Sequence, residues 1–167
     1  MRTIITFFNN LLLPIIPESK GFGFKRFMWR LAGARIGRNV KISSSCKILG
    51  AGQLSIGDNT WIGYQCLLVA SSKIEIGANV DIAPRVYIGT GTHTINPEAN
   101  HIASEDISRD VQIGDGSWIC VNAVILPGCS IGRKTVVAAG SVVASSFMED
   151  KILVGGIPAR KIKTYGN

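Results

Sequence analysis

The chain has 167 residues, of which 46% are hydrophobic and 17% are charged, so it can fill one compact domain and is too apolar to be disordered. It contains no run of about 18 apolar residues, the length that a membrane-spanning helix requires. The net charge of +7 comes entirely from residues 1–41, where eight Lys and Arg accompany a single acid, Glu18. The remaining residues are neutral overall, so we expect no nucleic-acid interface.

The basic segment at residues 1–35 is also rich in apolar side chains, as in "IITFFNNLLLPIIP" and "GFGFKRFMWR". Asn9, Asn10 and Pro14 interrupt the first stretch, and no small-residue cleavage site follows it. We therefore expect no secretory signal and a cytoplasmic protein. Two interpretations stay open for this segment. It is an amphipathic helix whose apolar face caps the rest of the fold, or one that rests on an anionic membrane surface.

From Ile36 onward the sequence repeats a six-residue pattern. Reading six at a time gives "IGRNVK", "ISSSCK" and "ILGAGQ", and the same frame returns at Ile56, Ile76 and Ile113. Fifteen units fit, with Ile, Leu or Val in the first slot and mostly small residues in the second. A period of six is not that of an α-helix and fits a short strand followed by a turn. Three such strands make one triangular coil, and stacked coils bury one another's faces in a solenoid.

Extra residues interrupt this pattern at one corner of the predicted coils. The pairs "LS" at 54–55 and "IE" at 74–75 follow the third unit of the first two coils. A seventeen-residue stretch, residues 94–110, leaves the third coil at the same corner. We predict a loop there, and a loop of this length on a rigid scaffold is usually functional or disordered. The two histidines of the chain, His93 and His101, lie at its start and within it.

The four cysteines follow the same pattern. Cys46, Cys66 and Cys129 occupy the fifth slot of their units and Cys120 the second, where small residues pack. No CxxC spacing occurs, so neither zinc ligation nor a redox motif has support. We expect four free thiols that serve as small buried packing residues.

The repeat units resemble those of the hexapeptide-repeat acyltransferases, from about Ile36 to Lys163. "IGDGSWICVNAVILPGCSIGRKTVVAAGSVV" is similar to the cofactor-side coils of that family, and "GGIPARKIK" to its C-terminal segment. "GTGTH" resembles the position of its catalytic histidine. The basic opening "FKRFMWRLAGARIGRNVKI" is typical of the branch of sugar O-acetyltransferases that act in capsule, exopolysaccharide and O-antigen synthesis.

The resemblance implies an all-β solenoid, a left-handed parallel β-helix of about five coils. A helical cap at residues 1–35 precedes the coils at 36–148, which carry the inserted loop at 94–110. A C-terminal tail at 149–167 completes the coenzyme A site. The resemblance also implies a homotrimer with active sites between neighbouring subunits, acetyl-CoA as the donor, a sugar acceptor and no metal.

Transfer of an acetyl group to a sugar hydroxyl needs a base, and the ordinary pKa of histidine suits that task. His93 ends the last regular unit before the loop and matches the histidine of the family, so we predict that it is the general base. His101 lies in mid-loop and is expected to be incidental. Glu98, Glu105, Asp106 or a backbone carbonyl can orient the imidazole.

The resemblance also assigns the donor side of the site. It implies that the Val121 amide stabilises the oxyanion and that Trp118 lies near the acetyl group or the sugar ring. It places the pantetheine arm along the backbone at Ala139 and Ser145 and the adenine at Pro158. It assigns the binding of the phosphates to Arg160 and Lys163. Trp118 is equally well explained as a trimer-interface residue. Ala144 and Ser145 replace a polar-basic pair common in the family, and Lys151 is a candidate for the contact that is then missing.

The acceptor side departs further from the family. Gly63 stands where some simple-sugar acetyltransferases carry an Asn, and Arg85 where many relatives have Asn. We predict that Arg85, Tyr64 and Tyr87 line a pocket for a different sugar, one that is acidic, phosphorylated or lipid-linked.

Three other functions use the same kind of solenoid. N-acetylation of an amino sugar on a nucleotide is the main alternative, since it needs the same base, and acyl groups longer than acetyl also remain open. A non-catalytic β-helix scaffold needs neither the loop histidine nor the "GGIPARKIK" tail. A γ-class carbonic anhydrase needs three zinc-binding histidines, and this chain has two.

Overall fold

The computed structural model describes residues 1–166 and opens with two short helices against the first coil. These are α1 (Thr3–Leu12), followed by one 3-10 turn (Leu13–Ile15), and α2 (Phe22–Leu31). Trp29 of α2 is fully buried, and the buried Lys25 Nζ donates to the carbonyl oxygens of Pro17 and Glu18 at 3.2 and 2.8 Å. Neither helix of these 166 residues has the length and hydropathy to span a bilayer.

Five complete coils of three strands follow the helices. The strands before the insertion are β1 (Arg35–Ile36), β2 (Lys41–Ile42), β3 (Lys47–Leu49), β4 (Gln53–Ile56), β5 (Trp61–Ile62), β6 (Leu67–Val69), β7 (Lys73–Ile76), β8 (Asp81–Ile82) and β9 (Tyr87–Gly89). The insertion forms a hairpin of β10 (Gly91–Ile95) and β11 (Ala103–Ser108). The strands after it are β12 (Val111–Ile113), β13 (Trp118–Ile119), β14 (Val124–Ile125), β15 (Ser130–Ile131), β16 (Val136–Val137) and β17 (Val142–Val143). The predicted parallel solenoid of about five coils is confirmed. The left-handed sense of the β-helix stays a prediction from the resemblance.

Corresponding strands of successive coils pair in parallel and form three sheets. Sheet A contains β1, β4, β7, β12 and β15; sheet B contains β2, β5, β8, β13 and β16; sheet C contains β3, β6, β9, β14 and β17. Ile36 aligns with Ile56, Ile56 with Ile76, Ile76 with Ile113 and Ile113 with Ile131. The unequal sequence spacings therefore give one continuous register. We call the turns between sheets B and C the B/C edge, and those between sheets C and A the C/A edge.

The core is a column of the first-slot residues. All fifteen are buried, and none is more than 6% exposed. Burying an Ile, Leu or Val side chain stabilises a fold by about 1.5–3 kcal/mol, so this column accounts for most of what holds the coils together. The six-residue pattern is thus the direct sequence trace of the core.

Asparagines support one set of turns, those between sheets A and B. Asn39, Asn59 and Asn79 have φ values of 55°, 58° and 55°, a left-handed conformation that Asn tolerates better than most residues. The Asn39 amide donates to Asn59 Oδ1 at 3.2 Å, and the Asn59 amide donates to Asn79 Oδ1 at 3.3 Å. The recurring Asn in "IGRN", "IGDN" and "IGAN" therefore stacks from coil to coil.

The insertion lies at the predicted corner, the C/A edge, but it is not an irregular loop. Most of it forms an antiparallel hairpin of β10 and β11, in which Gly91 pairs with Ser108 and His93 with Asp106. The tip, residues 96–102, is without strand structure, as are Arg109 and Asp110 after β11. The cross-strand pairing was not visible in the sequence because neither strand alternates apolar and polar residues.

The C-terminal segment also forms strands. β18 (Ile152–Gly156) extends sheet B by parallel pairing with β16, and β19 (Ala159–Thr164) returns antiparallel to β18. Lys161 Nζ donates to both carboxylate oxygens of Glu149 at 2.7 and 2.6 Å, which fastens β19 to the preceding turn. The part of the chain predicted as a tail thus adds one side of a sixth coil.

The cysteines are free thiols, and three of them are buried as predicted. Burial raises the pKa of Cys66 to about 11 and raises that of Cys46 well above its ordinary value. Cys120 is only half-buried, so the expectation of full burial is wrong for this residue. The Cys120 thiol also has a raised pKa through desolvation, which favours the unreactive protonated form.

Candidate active site

The predicted base, His93, stands in the hairpin opposite an acid. Because His93 and Asp106 are directly paired across β10 and β11, their side chains project from the same face of the hairpin. His93 Nδ1 lies 3.0 Å from Asp106 Oδ1, and the imidazole is 52% exposed. When the Nδ1–H group donates a hydrogen bond to this carboxylate, Nε2 carries no proton and can accept one from a substrate. A general base requires this arrangement.

The other proposed partners of the imidazole are placed elsewhere. Glu105 is next to Asp106 in β11, and its backbone amide donates to Thr94 Oγ1 at 3.0 Å. Glu98 and His101 are exposed residues of the hairpin tip. Among the acids that the sequence offered, the structure selects Asp106. The sequence carries little sign of this choice, because only the register of the hairpin distinguishes Asp106 from the neighbouring acids.

The base of the hairpin is fastened to the solenoid by polar contacts that the sequence analysis missed. The Thr90 hydroxyl accepts hydrogen bonds from the amides of Ser71 and Ser72 at 2.8 and 2.9 Å. On the other strand, Asp110 Oδ1 accepts from the Lys73 amide at 3.0 Å. That hydrogen bond lowers the pKa of Asp110 and keeps it ionised. The backbone on both sides of the hairpin is thereby held in place.

Replacing Asp106 with Asn is expected to lower kcat by about two- to fivefold and to leave both KM values unchanged. The effect is modest because the Asp106 side chain is 92% exposed, and exposed ion pairs contribute little. Steady-state kinetics of D106N, of His93→Ala and of the double variant test this. If Asp106 acts by orienting His93, D106N has no further effect when His93 is absent. If D106N lowers kcat by the same factor in the wild-type and in the His93→Ala enzyme, Asp106 has a role separate from orienting His93.

Four of the predicted site residues lie together on the B/C edge. Tyr64, Arg85, Val121 and Ala139 occupy the turns of the second to the fifth coil, one above another. The Arg85 amide donates to the Tyr64 carbonyl at 2.8 Å, and the Gly140 amide donates to the Val121 carbonyl at 2.9 Å. Arg85 is exposed and has a φ of 59°. Within residues 1–166 the amides of Val121 and Ala139 donate no hydrogen bond, so both can bind a ligand.

Two aromatic residues lie on the sheets rather than on the edges. Trp118 projects from sheet B and is 52% exposed. Tyr87 is a half-buried residue of sheet C, and its phenol occupies the space where Gly89 lacks a side chain. The Trp61 and Tyr64 rings meet edge to face with centroids 6.1 Å apart. Because Trp118 is on sheet B and His93 is on the C/A edge, the two residues are not side by side within one chain.

The residues predicted to bind coenzyme A are divided between two edges. The Gly156 amide donates to Ser141 Oγ at 3.1 Å, which brings the turn at Pro158 beside Ala139 on the B/C edge. Arg160 and Lys163 of β19 are exposed, and Lys163 Nζ lies 4.8 Å from the centre of the Tyr165 ring. Ser145 is instead an exposed residue of the C/A edge, the edge that carries His93.

Lys151 lies on a different edge from Ser145. Its amide donates to the Arg133 carbonyl at 2.9 Å, and the residue borders a cleft with Asp115, Arg133 and Asp150 at the turns between sheets A and B. Its role in place of the contact missing at Ser145 stays a prediction, and within one chain sheet A lies between the two residues. In the described part of the chain, no three His, Cys, Asp or Glu are grouped to hold a metal ion.

Comparisons with known proteins agree with this architecture. Residues 110–145 match the family "bacterial transferase hexapeptide (six repeats)". WcaF of Escherichia coli, named as a colanic acid biosynthesis acetyltransferase, is 33% identical over 142 residues, which is 85% of this chain and 75% of WcaF. Galactoside O-acetyltransferase of E. coli is 34% identical over 51% of this chain and 41% of its own length.

A solved structure extends the similarity to nearly the whole chain. The hexapeptide-repeat acetyltransferase VCA0836 of Vibrio cholerae, crystallised with acetyl-CoA, superposes with a TM-score of 0.77 and 25% identity, over 99% of this chain and 87% of that one. The fold, the repeat and the extent of the match to WcaF lead to one conclusion. This chain belongs to the hexapeptide-repeat acetyltransferases.

Proposed function

We propose that this protein transfers the acetyl group of acetyl-CoA to a sugar hydroxyl during the synthesis of a surface polysaccharide, with His93 as the general base. The observation that carries the proposal is the His93–Asp106 pair, which leaves Nε2 of the imidazole free at the start of a hairpin anchored to a rigid solenoid. The names of WcaF and galactoside O-acetyltransferase support the acetyl donor and the sugar acceptor.

In the proposed reaction, acetyl-CoA supplies a thioester carbonyl that the sugar oxygen attacks. His93 Nε2 takes the hydroxyl proton as the new C–O bond forms, and it returns that proton to the sulfur as the C–S bond breaks. Asp106 holds the imidazole with its proton on Nδ1. The Val121 amide, which has no other acceptor in residues 1–166, stabilises the negative charge on the carbonyl oxygen.

The arrangement of these groups supports a homotrimer. His93 is on the C/A edge and Val121 on the B/C edge, so sheet C separates them within one chain. We propose that the C/A edge of one copy faces the B/C edge of the next, which assembles three equivalent sites. Trp118 belongs to the same proposal, as a residue near the acetyl group or the acceptor ring.

The residues present fit acetyl-CoA. Ala139 presents a free amide, and the space beside the neighbouring Gly140 is empty to 4 Å around the place of a Cβ. A pantetheine arm can therefore approach this backbone closely, with Ser145 contributing from the other edge. Arg160 and Lys163 are exposed and available for phosphates, and Pro158 for the adenine.

For the acceptor we propose a sugar that carries a negative charge, either an acidic or a phosphorylated one, including a lipid-linked sugar phosphate. Arg85 supports this, because its exposed guanidinium has no hydrogen-bond partner within residues 1–166, while its backbone amide donates to the Tyr64 carbonyl. For location we propose the cytoplasm, with the basic N-terminal segment at the inner face of the membrane.

The test is thiol release from acetyl-CoA in the presence of nucleotide sugars, polysaccharide fragments, a neutral free sugar and an amino sugar. We expect turnover with a charged hydroxyl acceptor and an ester in the product. Turnover confined to the amino sugar would identify an N-acetyltransferase. The absence of both turnover and coenzyme A binding would favour a scaffold.

A further inference from the structure

The first helix, α1, is mounted with its polar side toward the protein. Thr6 and Asn9 are buried, and the Asn9 amide donates to the Met28 carbonyl at 2.8 Å. Asn10 makes two hydrogen bonds with the backbone of Ile48, donating to its carbonyl at 2.7 Å and accepting from its amide at 3.2 Å. Hydrogen bonds from Asn9 to α2 and from Asn10 to the first coil therefore hold α1 in place, together with the packing of Ile5 and the buried Leu13 against the core.

The apolar side of α1 faces outward. The exposed residues of α1, extended by Ile15 of the 3-10 turn that follows it, lie at the spacing of a single helical face: Ile4, Phe7, Phe8, Leu11, Leu12 and Ile15, each between 47% and 79% exposed. Such a stripe normally faces the core of a globular protein. The expectation that this face caps the solenoid is thus wrong for α1, because the buried surface is the one with the asparagines.

The second helix and the first coil carry further exposed apolar residues. Phe24, Phe27 and Leu31 of α2 are at least 43% exposed, and they share one face of that helix by their spacing of three and four. Leu49 of β3 is exposed next to Phe7 and Leu11. Contiguous exposed apolar patches are uncommon on monomeric proteins and mark contact sites.

The charge around this surface indicates what binds to it. Residues 1–41 carry a net +7, whereas the rest of the chain is neutral overall, although within that segment Lys25 is buried and Arg38 is paired with Asp58. Arg2, Lys20, Arg30 and Lys47 are exposed beside the two helices. A second copy of this chain would bring either the same positive surface or a neutral one, so its charge does not complement this patch. An anionic lipid bilayer complements both the charge and the apolar side chains.

We infer that α1 is an interfacial membrane anchor, whose outward face of Ile4, Phe7, Phe8, Leu11, Leu12 and Ile15 enters the headgroup region of an anionic bilayer. The exposed aromatic residues of α2 and the surrounding Lys and Arg reinforce the contact. This inference deepens the membrane-side location proposed above and does not depend on acetyl transfer. Because α1 is tied to α2 through Asn9 and to the first coil through Asn10, the anchor fixes the orientation of the solenoid relative to the membrane.

The test is cosedimentation of the full chain with vesicles made of equal parts phosphatidylcholine and phosphatidylglycerol. We expect wild type to bind these vesicles, to bind pure phosphatidylcholine more weakly, and to be released in part by salt. Phe7→Asp is expected to abolish most binding. The matched control is Met148→Asp, which introduces the same charge at a similarly exposed apolar residue, 69% against 63%, and should bind like wild type.

A second measurement locates the contact. Phe7→Trp places a fluorophore on the outward face of α1, and its emission should shift to the blue and be quenched by brominated lipids. Thiol release by F7D without vesicles should equal that of wild type, so failure of the anchor and failure of the proposed chemistry are distinguishable. If wild type does not bind the anionic vesicles, or if F7D changes the oligomeric state in solution and not the binding, the face is a contact between proteins and the inference is overturned.

Discussion

Replacing His93 with Ala lowers kcat for acetyl transfer by about 10²–10⁴-fold, the contribution typical of a general base. The KM for acetyl-CoA should change little, since the residues assigned to that substrate lie on other turns. The fold should be unaffected, because the imidazole is half exposed and its one polar contact is to Asp106. Steady-state thiol release, with the acceptor found in the substrate panel, gives both constants.

The chain provides its own control for this experiment. His101 is the other histidine, it lies in the same insertion, and it is exposed at the hairpin tip. His101→Ala removes the same side chain and should retain nearly full activity. Equal losses in the two variants would show that the hairpin as a whole matters rather than one base. Full activity of H93A would remove His93 from the mechanism.

The repeat made the solenoid predictable because its physical cause is local. Each first-slot residue is buried by the coil directly above and below, so a fixed spacing of six records the core one residue at a time. The extra pairs at 54–55 and 74–75 predicted the corner of the insertion for the same reason. They lengthen β4 and β7 at the point where β9 is followed by the hairpin.

The orientation of α1 could not be predicted in this way. Its sequence has a polar side and an apolar side, and the pattern alone does not say which side meets the protein. The usual assumption buries the apolar side. Here the backbone of Ile48 at the end of the solenoid offers a free carbonyl and amide, and Asn10 satisfies both. That is a tertiary fact with no local signature.

The candidate site was predictable residue by residue but not as an assembly. The motifs indicated His93, Val121 and Ala139, and each is accessible in the structure. Their division between two edges depends on which turn each motif occupies, and the placement of Lys151 and Ser145 on different edges depends on the sheet crossing between them. The choice of Asp106 over Glu98 and Glu105 required the register of the hairpin.

The second large effect concerns the stability of the solenoid, and we expect Gly50→Ala to lower the free energy of unfolding by about 2–5 kcal/mol. Gly50 has a φ of 93° in the turn before β4. A left-handed backbone costs a residue with a Cβ about 1–2 kcal/mol. At Gly50 the added Cβ would also overlap the carbonyl group of Ala70 in the next coil, and such overpacking costs about 1–3 kcal/mol more.

Gly140→Ala separates the two contributions. Gly140 also has a positive φ, 68°, but within residues 1–166 no heavy atom other than those of its own chain neighbours lies within 4 Å of the place where its Cβ would be. We expect this variant to lose only the conformational part, about 1–2 kcal/mol. Denaturant unfolding of both variants without acetyl-CoA, at one protein concentration, measures the difference. If G50A is no less stable than G140A, the close approach of the first two coils is not rigid. A larger loss of unfolding free energy in G50A than in G140A would show that tight stacking of backbone on backbone stabilises the coils, in addition to the column of first-slot side chains.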